Sequence, residues 1–206
     1  QRRRTAGQPP ATQMWLWGQG TRPHIDTWQS LYGLSGAVIS AVDLVNGIGK
    51  LAGFEVIDVP GVTGWIDTNY AGKWAYGAEA LARHDVVVIH VEAPDETAHQ
   101  GRHDLKVQAI TDFDTHIVAP AVALAESRDD VRLLAAPDHF TLCSTKKHAP
   151  GLVPFCACGA GIASTGGPAY TEAHAAATGI AVPGGHTLVQ RFLTEPTLAI
   201  APASVS

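Results

Sequence analysis

Cysteine is scarce: three in 206 residues, at Cys143, Cys156 and Cys158. An odd number, with two of them one residue apart, argues against a disulfide framework. Cys156 and Cys158 alternate on an expected strand, Val153–Cys158, and so face one side. No second cysteine pair completes a four-sulfur metal shell, so they read as buried, reduced thiols. Apolar runs of membrane-spanning length are missing, as is a secretory signal pattern, and a soluble cytoplasmic protein is expected. A basic excess is missing too. Lys+Arg 14 against Asp+Glu 19 gives a formal net charge of -5, without the electrostatic footprint that nucleic-acid binding requires. Gly-x-Ser-x-Gly does not occur, and no convincing Ser-His-Asp arrangement is visible. The stretch Gly47-Ile48-Gly49-Lys50-Leu51-Ala52-Gly53 lacks the Gly-Lys-Ser/Thr ending of a phosphate loop. It reads as a turn with close backbone packing. The first residue is Gln1 rather than Met, so a processed chain, a trimmed one or a fragment is expected.

What is present fits one domain, or one domain plus part of another. The apolar fraction, 46%, is ordinary for a globular protein with a sizeable core. Residues 1 to 13 are basic and contain proline without apolar periodicity, which reads as a linker or a cut end carrying a solvated Arg2–Arg4 run. Met14 to Gly20 reads as a short strand ending in a glycine turn, with Trp15 and Trp17 alternating on it as packing residues. From Gly36 onward strand and helix signals alternate. Gly36–Ala41, Phe54–Val59, Asp85–Val91, Val131–Ala136 and Val153–Cys158 read as strands. Helices are expected over Val42–Ala52, Lys73–Arg83, Asp104–Ala125, Tyr170–Thr178 and His186–Leu193. Alternation of this kind implies βαβ units and a mainly parallel sheet. The Asp85–Val91 run is almost continuously apolar, as a strand buried on both faces must be.

Histidine and carboxylate cluster where two of those strands end. Asp85–Val91 runs into Glu92-Ala93-Pro94-Asp95-Glu96-Thr97-Ala98-His99, and Val131–Ala136 runs into Pro137-Asp138-His139, with His148 nine residues on. Carboxylate oxygens and neutral imidazoles are the donors preferred by manganese and zinc. Asp95 and His99 stand four apart, on one face of a helical turn. Strand ends are where sites form in parallel sheets. Asp95, His99, Asp138, His139 and His148 are therefore the candidate ligands. Two metals about 3.5–4 Å apart would clamp a phosphoryl group there. The competing reading is that they are capping acids and surface histidines. Lys73, at the start of a helix after the polar loop Gly61–Tyr70, either neutralises a substrate phosphate or is simply solvated.

Several of these motifs carry a family likeness. Trp15-Leu16-Trp17-Gly18-Gln19-Gly20, then Gly36-Ala37-Val38-Ile39-Ser40-Ala41-Val42-Asp43-Leu44, then His90-Val91-Glu92-Ala93-Pro94-Asp95-Glu96, then Pro137-Asp138-His139, resemble the cofactor-independent phosphoglycerate mutases of the archaeal type. Bacterial relatives, some described as proposed homoserine kinases, are similar through Ala169-Tyr170-Thr171-Glu172-Ala173 and Gly185-His186. The likeness runs from Met14 to Leu193.

The resemblance implies an alkaline phosphatase-like three-layer α/β sandwich with a mainly parallel sheet. It also implies two divalent metal ions (manganese or zinc), a phosphoserine intermediate and no need of 2,3-bisphosphoglycerate. On that pattern Asp95, His99 and His148 match the ligands of one metal, and Asp138 and His139 match ligands of the other. The second metal's remaining aspartate and the nucleophilic serine belong to an N-terminal region that has no counterpart before Trp15. The chain thus looks like a C-terminal portion. Residues 1–33 would be linker and the end of an inserted, substrate-closing domain, 34–194 the metal-binding catalytic part and 195–206 a tail. Relatives usually read Pro-Asp-His-Pro-Thr-Pro where this chain has Phe140-Thr141-Leu142 after His139. An Arg-Thr-His stretch becomes Lys146-Lys147-His148. A small phosphorylated substrate, phosphoglycerate, is the implied partner. The alternatives are phosphotransfer to homoserine, phosphatase action, or metal binding without catalysis.

Overall fold

Strand β1 (Gly36–Ile39) has no polar side chain to give to solvent, and all four of its residues are buried. The computed structural model describes residues 1–200 apart from Trp17, Gly166 and Pro168. Two short helices, α1 (Arg2–Thr5) and α2 (Trp28–Tyr32), precede β1. Strands β2 (Glu55–Val56) and β3 (Val86–Ile89) lie on either side of it, all three parallel in the order β2–β1–β3. The crossovers are helices, as parallel neighbours require: α3 (Asp43–Leu51) between β1 and β2, and α4 (Tyr70–Ala80) between β2 and β3.

The side chains of β1 alternate between two cores. Ala37 and Ile39 pack with Ile57, Val59 and Ala80 of α4. Val38 packs on the opposite face with Ala52, Phe54, Val45 of α3 and Trp28 of α2. Helices on both faces of a parallel sheet make the expected helix–sheet–helix sandwich. One glycine of the Gly47–Gly53 stretch, Gly49, belongs to this packing. Most of the stretch is helix rather than turn, and a Cβ on Gly49 would stand 2.6 Å from Val38 Cγ1. Gly49 lets α3 lie flat on β1.

Beyond β3 come α5 (Ala93–His99) and α6 (His103–Phe113), then a π-helical turn (Asp114–Val118) and α7 (Ala119–Ser127). The long helix expected over Asp104–Ala125 is thus interrupted. Pro120 sits in the first turn of α7, has no N–H for the preceding turn, and the widened π turn accommodates it. Strand β4 (Arg132–Ala135) follows, then β5 (Phe140–Leu142), β6 (Lys147–Ala149) and β7 (Cys156–Gly159). Here expectation and structure differ. β4 and β7 pair antiparallel with each other, not with the parallel ladder, and β5 and β6 form a hairpin that sequence patterning missed. No crossover helix lies between β4 and β7, so the chain returns antiparallel. The chain closes with α8 (Glu172–Ala177) and α9 (Gly185–Thr194).

Two further features concern the ends of the chain. The segment before α2 forms no strand at Met14–Leu16, whose side chains are all exposed, Trp15 at 85%. Without a partner ladder an apolar tripeptide has no reason to extend, and Trp17 lies outside the described residues. The presumed tail after Thr194 is docked. Leu198 is buried, bridges Ile162 and exchanges backbone hydrogen bonds with Gly161 and Ala163. Arg132 secures it, donating from Nη1 to the carbonyls of Phe192 (3.0 Å) and Glu195 (2.7 Å) and from Nη2 to that of Pro196. Its Nε donates to the Ala160 carbonyl at 2.6 Å. Residues 201–206 lie outside the described residues. No helix among the described residues is long and apolar enough to cross a membrane.

Candidate metal centre

Three segments deliver the candidate ligands. α5 begins right after β3, with Pro94 in its first turn, where a missing N–H costs nothing. Its helical spacing puts His99 Nε2 3.3 Å from Asp95 Oδ2. Asp138 and His139 occupy the short loop between β4 and β5. The β5–β6 hairpin pairs Thr141 directly opposite His148, so both side chains emerge on one face. The hairpin turn ends at Lys146, whose left-handed backbone (φ 57°) turns its carbonyl toward α5.

That carbonyl decides the chemistry. It lies 2.9 Å from His99 Nδ1 and can only accept, so in the neutral, ligating form of the ring Nδ1 carries the proton and Nε2 presents a lone pair. His99 Nε2 meets His148 Nε2 at 3.1 Å, and His148 Nε2 lies 3.5 Å from Asp95 Oδ1. The His139 ring stacks on His148 with centroids 3.8 Å apart. Asp95, His139 and His148 present ligand atoms all within 4.8 Å of one another. One proton on His148 Nε2 can serve a single neighbour. The contact between Asp95 Oδ2 and His99 Nε2 then remains acceptor against acceptor. A cation relieves both at once, and the oxygen-and-imidazole donor set suits a divalent metal.

The sequence-derived residues therefore separate as follows. Asp95, His99, His139 and His148 converge. Asp138 joins through His139, its Oδ2 3.2 Å from His139 Nε2, with a side chain 78% exposed. Lys73 does not behave as a solvated lysine: it is fully buried. Its Nζ donates to the His90 carbonyl at 2.6 Å. Burial pulls its pKa down to about 8, against the opposing pull of the Glu92 charge. The solvated reading fails because Lys73 lies on the buried face of α4, with Tyr70, Gly77 and Ala80.

Sequence reasoning missed several neighbours. Carboxylate oxygens of Glu92, Asp95 and Glu96 also lie within 4.8 Å of one another. The i, i+3, i+4 spacing of these acids was the available signal. Burial first, then the charges of Asp95, Glu96 and Asp138, raises the Glu92 pKa. Its buried Oε2 has no hydrogen-bond partner among the described residues, and His90 Nδ1 at 3.8 Å is too distant to be one. That ring nitrogen is instead 3.0 Å from Ser40 Oγ, at the end of β1. Burial, then the Lys73 charge, lowers the His90 pKa. Glu92 and Glu96 line an open cleft of about 340 Å³ with Val42, Gly64 and Trp65.

A carboxylate–imidazole cluster at strand ends of an α/β sandwich is the arrangement of a candidate metal centre. The chain belongs to the metalloenzyme superfamily, whose family model it matches over residues 2–190. It is 51% identical over 150 residues to a 2,3-bisphosphoglycerate-independent phosphoglycerate mutase of Methanosarcina acetivorans, covering 72% of this chain and 38% of that protein. A probable enzyme of the same name from Geobacter sulfurreducens is 45% identical over 193 residues, covering 93% of this chain and 48% of the relative. The chain thus spans half or less of the length of these relatives. A solved Pyrococcus horikoshii protein shares the fold with a TM-score of 0.72 at 23% identity, over 84% of this chain and 52% of that one. The cofactor-independent phosphoglycerate mutase from Thermoplasma acidophilum superposes with a TM-score of 0.56 at 21% identity, over 75% of this chain and 35% of that one.

Proposed function

We propose that this chain is the metal-bearing part of a phosphoglycerate mutase that interconverts 3- and 2-phosphoglycerate without 2,3-bisphosphoglycerate. The observation that carries the reading is the convergence of Asp95, His99, His139 and His148 in a chain up to 51% identical to proteins bearing that name. In this reading Asp95, His99 and His148 hold one divalent ion, manganese or zinc, while Asp138 and His139 contribute to a second. A bound ion supplies positive charge that neutralises phosphoryl oxygens. The chain's own residues prepare the setting. The Lys146 carbonyl fixes His99 in its ligating tautomer. Lys73 puts a cation beneath the cluster and reaches a substrate phosphate by releasing the His90 carbonyl. Glu92 and Glu96 border the cleft by which a small phosphorylated acid enters.

The nucleophilic serine is assigned to sequence beyond this chain. Residues 1–33 would belong to a linker and a substrate-closing domain, 34–194 to the catalytic domain and 195–206 to its tail. The setting would be cytoplasmic glycolysis or gluconeogenesis. A second reading, metal binding without turnover by the chain alone, is favoured by its covering 38–48% of these two relatives.

The test is conversion of 3-phosphoglycerate, followed by phosphorus NMR. It is run on this chain and on a version extended to the length of its relatives, each with manganese or with chelator. Formation of 2-phosphoglycerate only by the extended, metal-loaded form supports the reading. Activity indifferent to chelation rejects the metal chemistry. Release of inorganic phosphate alone shifts the assignment to a phosphatase.

A further inference from the structure

We infer that the Thr141 hydroxyl is the positioning group of the metal centre, joining Asp95 to His139 and fixing the tautomer in which His139 ligates through Nε2. The inference rests on the metal reading given above. A hydroxyl has one proton to donate and two lone pairs with which to accept. Thr141 Oγ1 bonds Asp95 Oδ1 and also lies 3.2 Å from His139 Nδ1. A carboxylate oxygen can only accept, so the single hydroxyl proton goes to Asp95. The contact with His139 is then satisfied only if Nδ1 donates to the hydroxyl. That places the imidazole proton on Nδ1 and leaves Nε2 as a lone pair.

His139 Nε2 faces Asp138 Oδ2 at 3.2 Å. With the proton on Nδ1 this is a lone pair beside a carboxylate, two donors that would together suit a divalent cation. The same logic at His99 uses a backbone carbonyl, so two histidines of the cluster have their tautomers set by groups outside it.

Thr141 is well placed for the task. It is buried, so solvent does not substitute for its hydroxyl. Its carbonyl accepts from Lys106 Nζ at 2.7 Å, which ties the hairpin to α6, and its cross-strand partner is the candidate ligand His148. One side chain thereby sets the spacing of ligands from α5, the β4–β5 loop and β6. Asp95 is four residues from His99 but 46 from Thr141 in sequence, so spacing gave no sign of the bond.

The test uses the full chain and two substitutions. Thr141→Val keeps the shape and removes the hydroxyl, whereas Thr141→Ser keeps the hydroxyl. Zinc affinity is measured by competition with a chromogenic chelator, and the His139 tautomer by long-range proton–nitrogen NMR of the metal-free protein. Thr141→Val is expected to weaken zinc binding by about 10- to 100-fold and Thr141→Ser to stay within about threefold of the parent. The parent should show His139 protonated at Nδ1, and Thr141→Val should shift it toward Nε2. Unchanged affinity and tautomer in Thr141→Val overturn the inference. So does equal weakening in Val and Ser, which would make the effect one of packing. A parent chain that binds no zinc defeats the metal reading separately, and the tautomer still decides the role of Thr141.

Discussion

Replacing Lys73 with methionine should abolish a specific dependence of stability on pH. The ammonium is fully buried on α4 with one hydrogen bond, to the His90 carbonyl, and the carboxylate of Glu92 nearby. Burial lowers its pKa from 10.5 to about 8. That difference corresponds to about 3 kcal/mol of unfavourable charge burial at neutral pH. Between these two values the unfolded chain binds the proton and the folded one does not, so stability rises with pH across the window from about 8 to 10.5. Integrated from pH 7 to pH 9.5, the gain is about 2 kcal/mol. Lys73→Met retains the stem volume, removes the charge and leaves the His90 carbonyl without its donor, at a cost of about 1–3 kcal/mol. Net stability at pH 7 should therefore change little, and the slope is the diagnostic. Urea denaturation of both proteins at pH 7 and 9.5, with chelator present, gives the comparison. The Cys156 and Cys158 thiols, raised chiefly by burial, titrate in both proteins and cancel in the difference. Tyr70, pushed up to about 12 by burial, stays protonated throughout. If the two proteins change in parallel from pH 7 to 9.5, the buried-lysine account is wrong.

Gly49→Ala should destabilise the chain despite adding helix propensity. Its Cβ would stand 2.6 Å from Val38 Cγ1, and overpacking of about 1–3 kcal/mol exceeds the gain of about 0.5–1 kcal/mol. Adding Val38→Ala should recover part of the loss in the same urea measurement. Arg132→Met removes donors to four carbonyls and should cost about 2–4 kcal/mol, with faster proteolysis after Thr194 as the local signature. Zinc at 100 times its dissociation constant should stabilise the parent by about 2.7 kcal/mol, raising Tm by about 5–10 °C. His148→Ala should lose that rise, measured by differential scanning calorimetry.

The parallel sheet was legible because β1 and β3 are apolar runs separated by helical stretches, although only β1 is buried throughout, whereas β3 lies at the edge of the sheet and leaves Val88 exposed. Asp95 and His99 were legible because helical spacing is local. The pairing of β4 with β7 was not, since their strand signals carry no direction and the short hairpin between them looks like loop. Glu92 and Thr141 escaped notice for a different reason. Their roles depend on contacts with residues far away in sequence or on the loss of water; the spacing of Glu92 with Asp95 and Glu96 signals only a shared face, and Thr141 leaves no periodicity at all. The failed strand at Met14–Leu16 shows the converse, because apolar residues alone cannot extend a chain that has no neighbour to pair with. The docking of Leu198 required knowing where Arg132 points, which no pattern in the last twelve residues announces.

X-ray absorption of the zinc-loaded chain tests the central claim most directly. Asp95, Asp138 and the three histidines predict only nitrogen and oxygen neighbours, with imidazole scattering and metal–ligand distances of about 2.0–2.2 Å. His148→Ala should remove one imidazole or release the zinc. Sulfur neighbours at about 2.3 Å would place the metal on Cys156 and Cys158 instead and contradict the account.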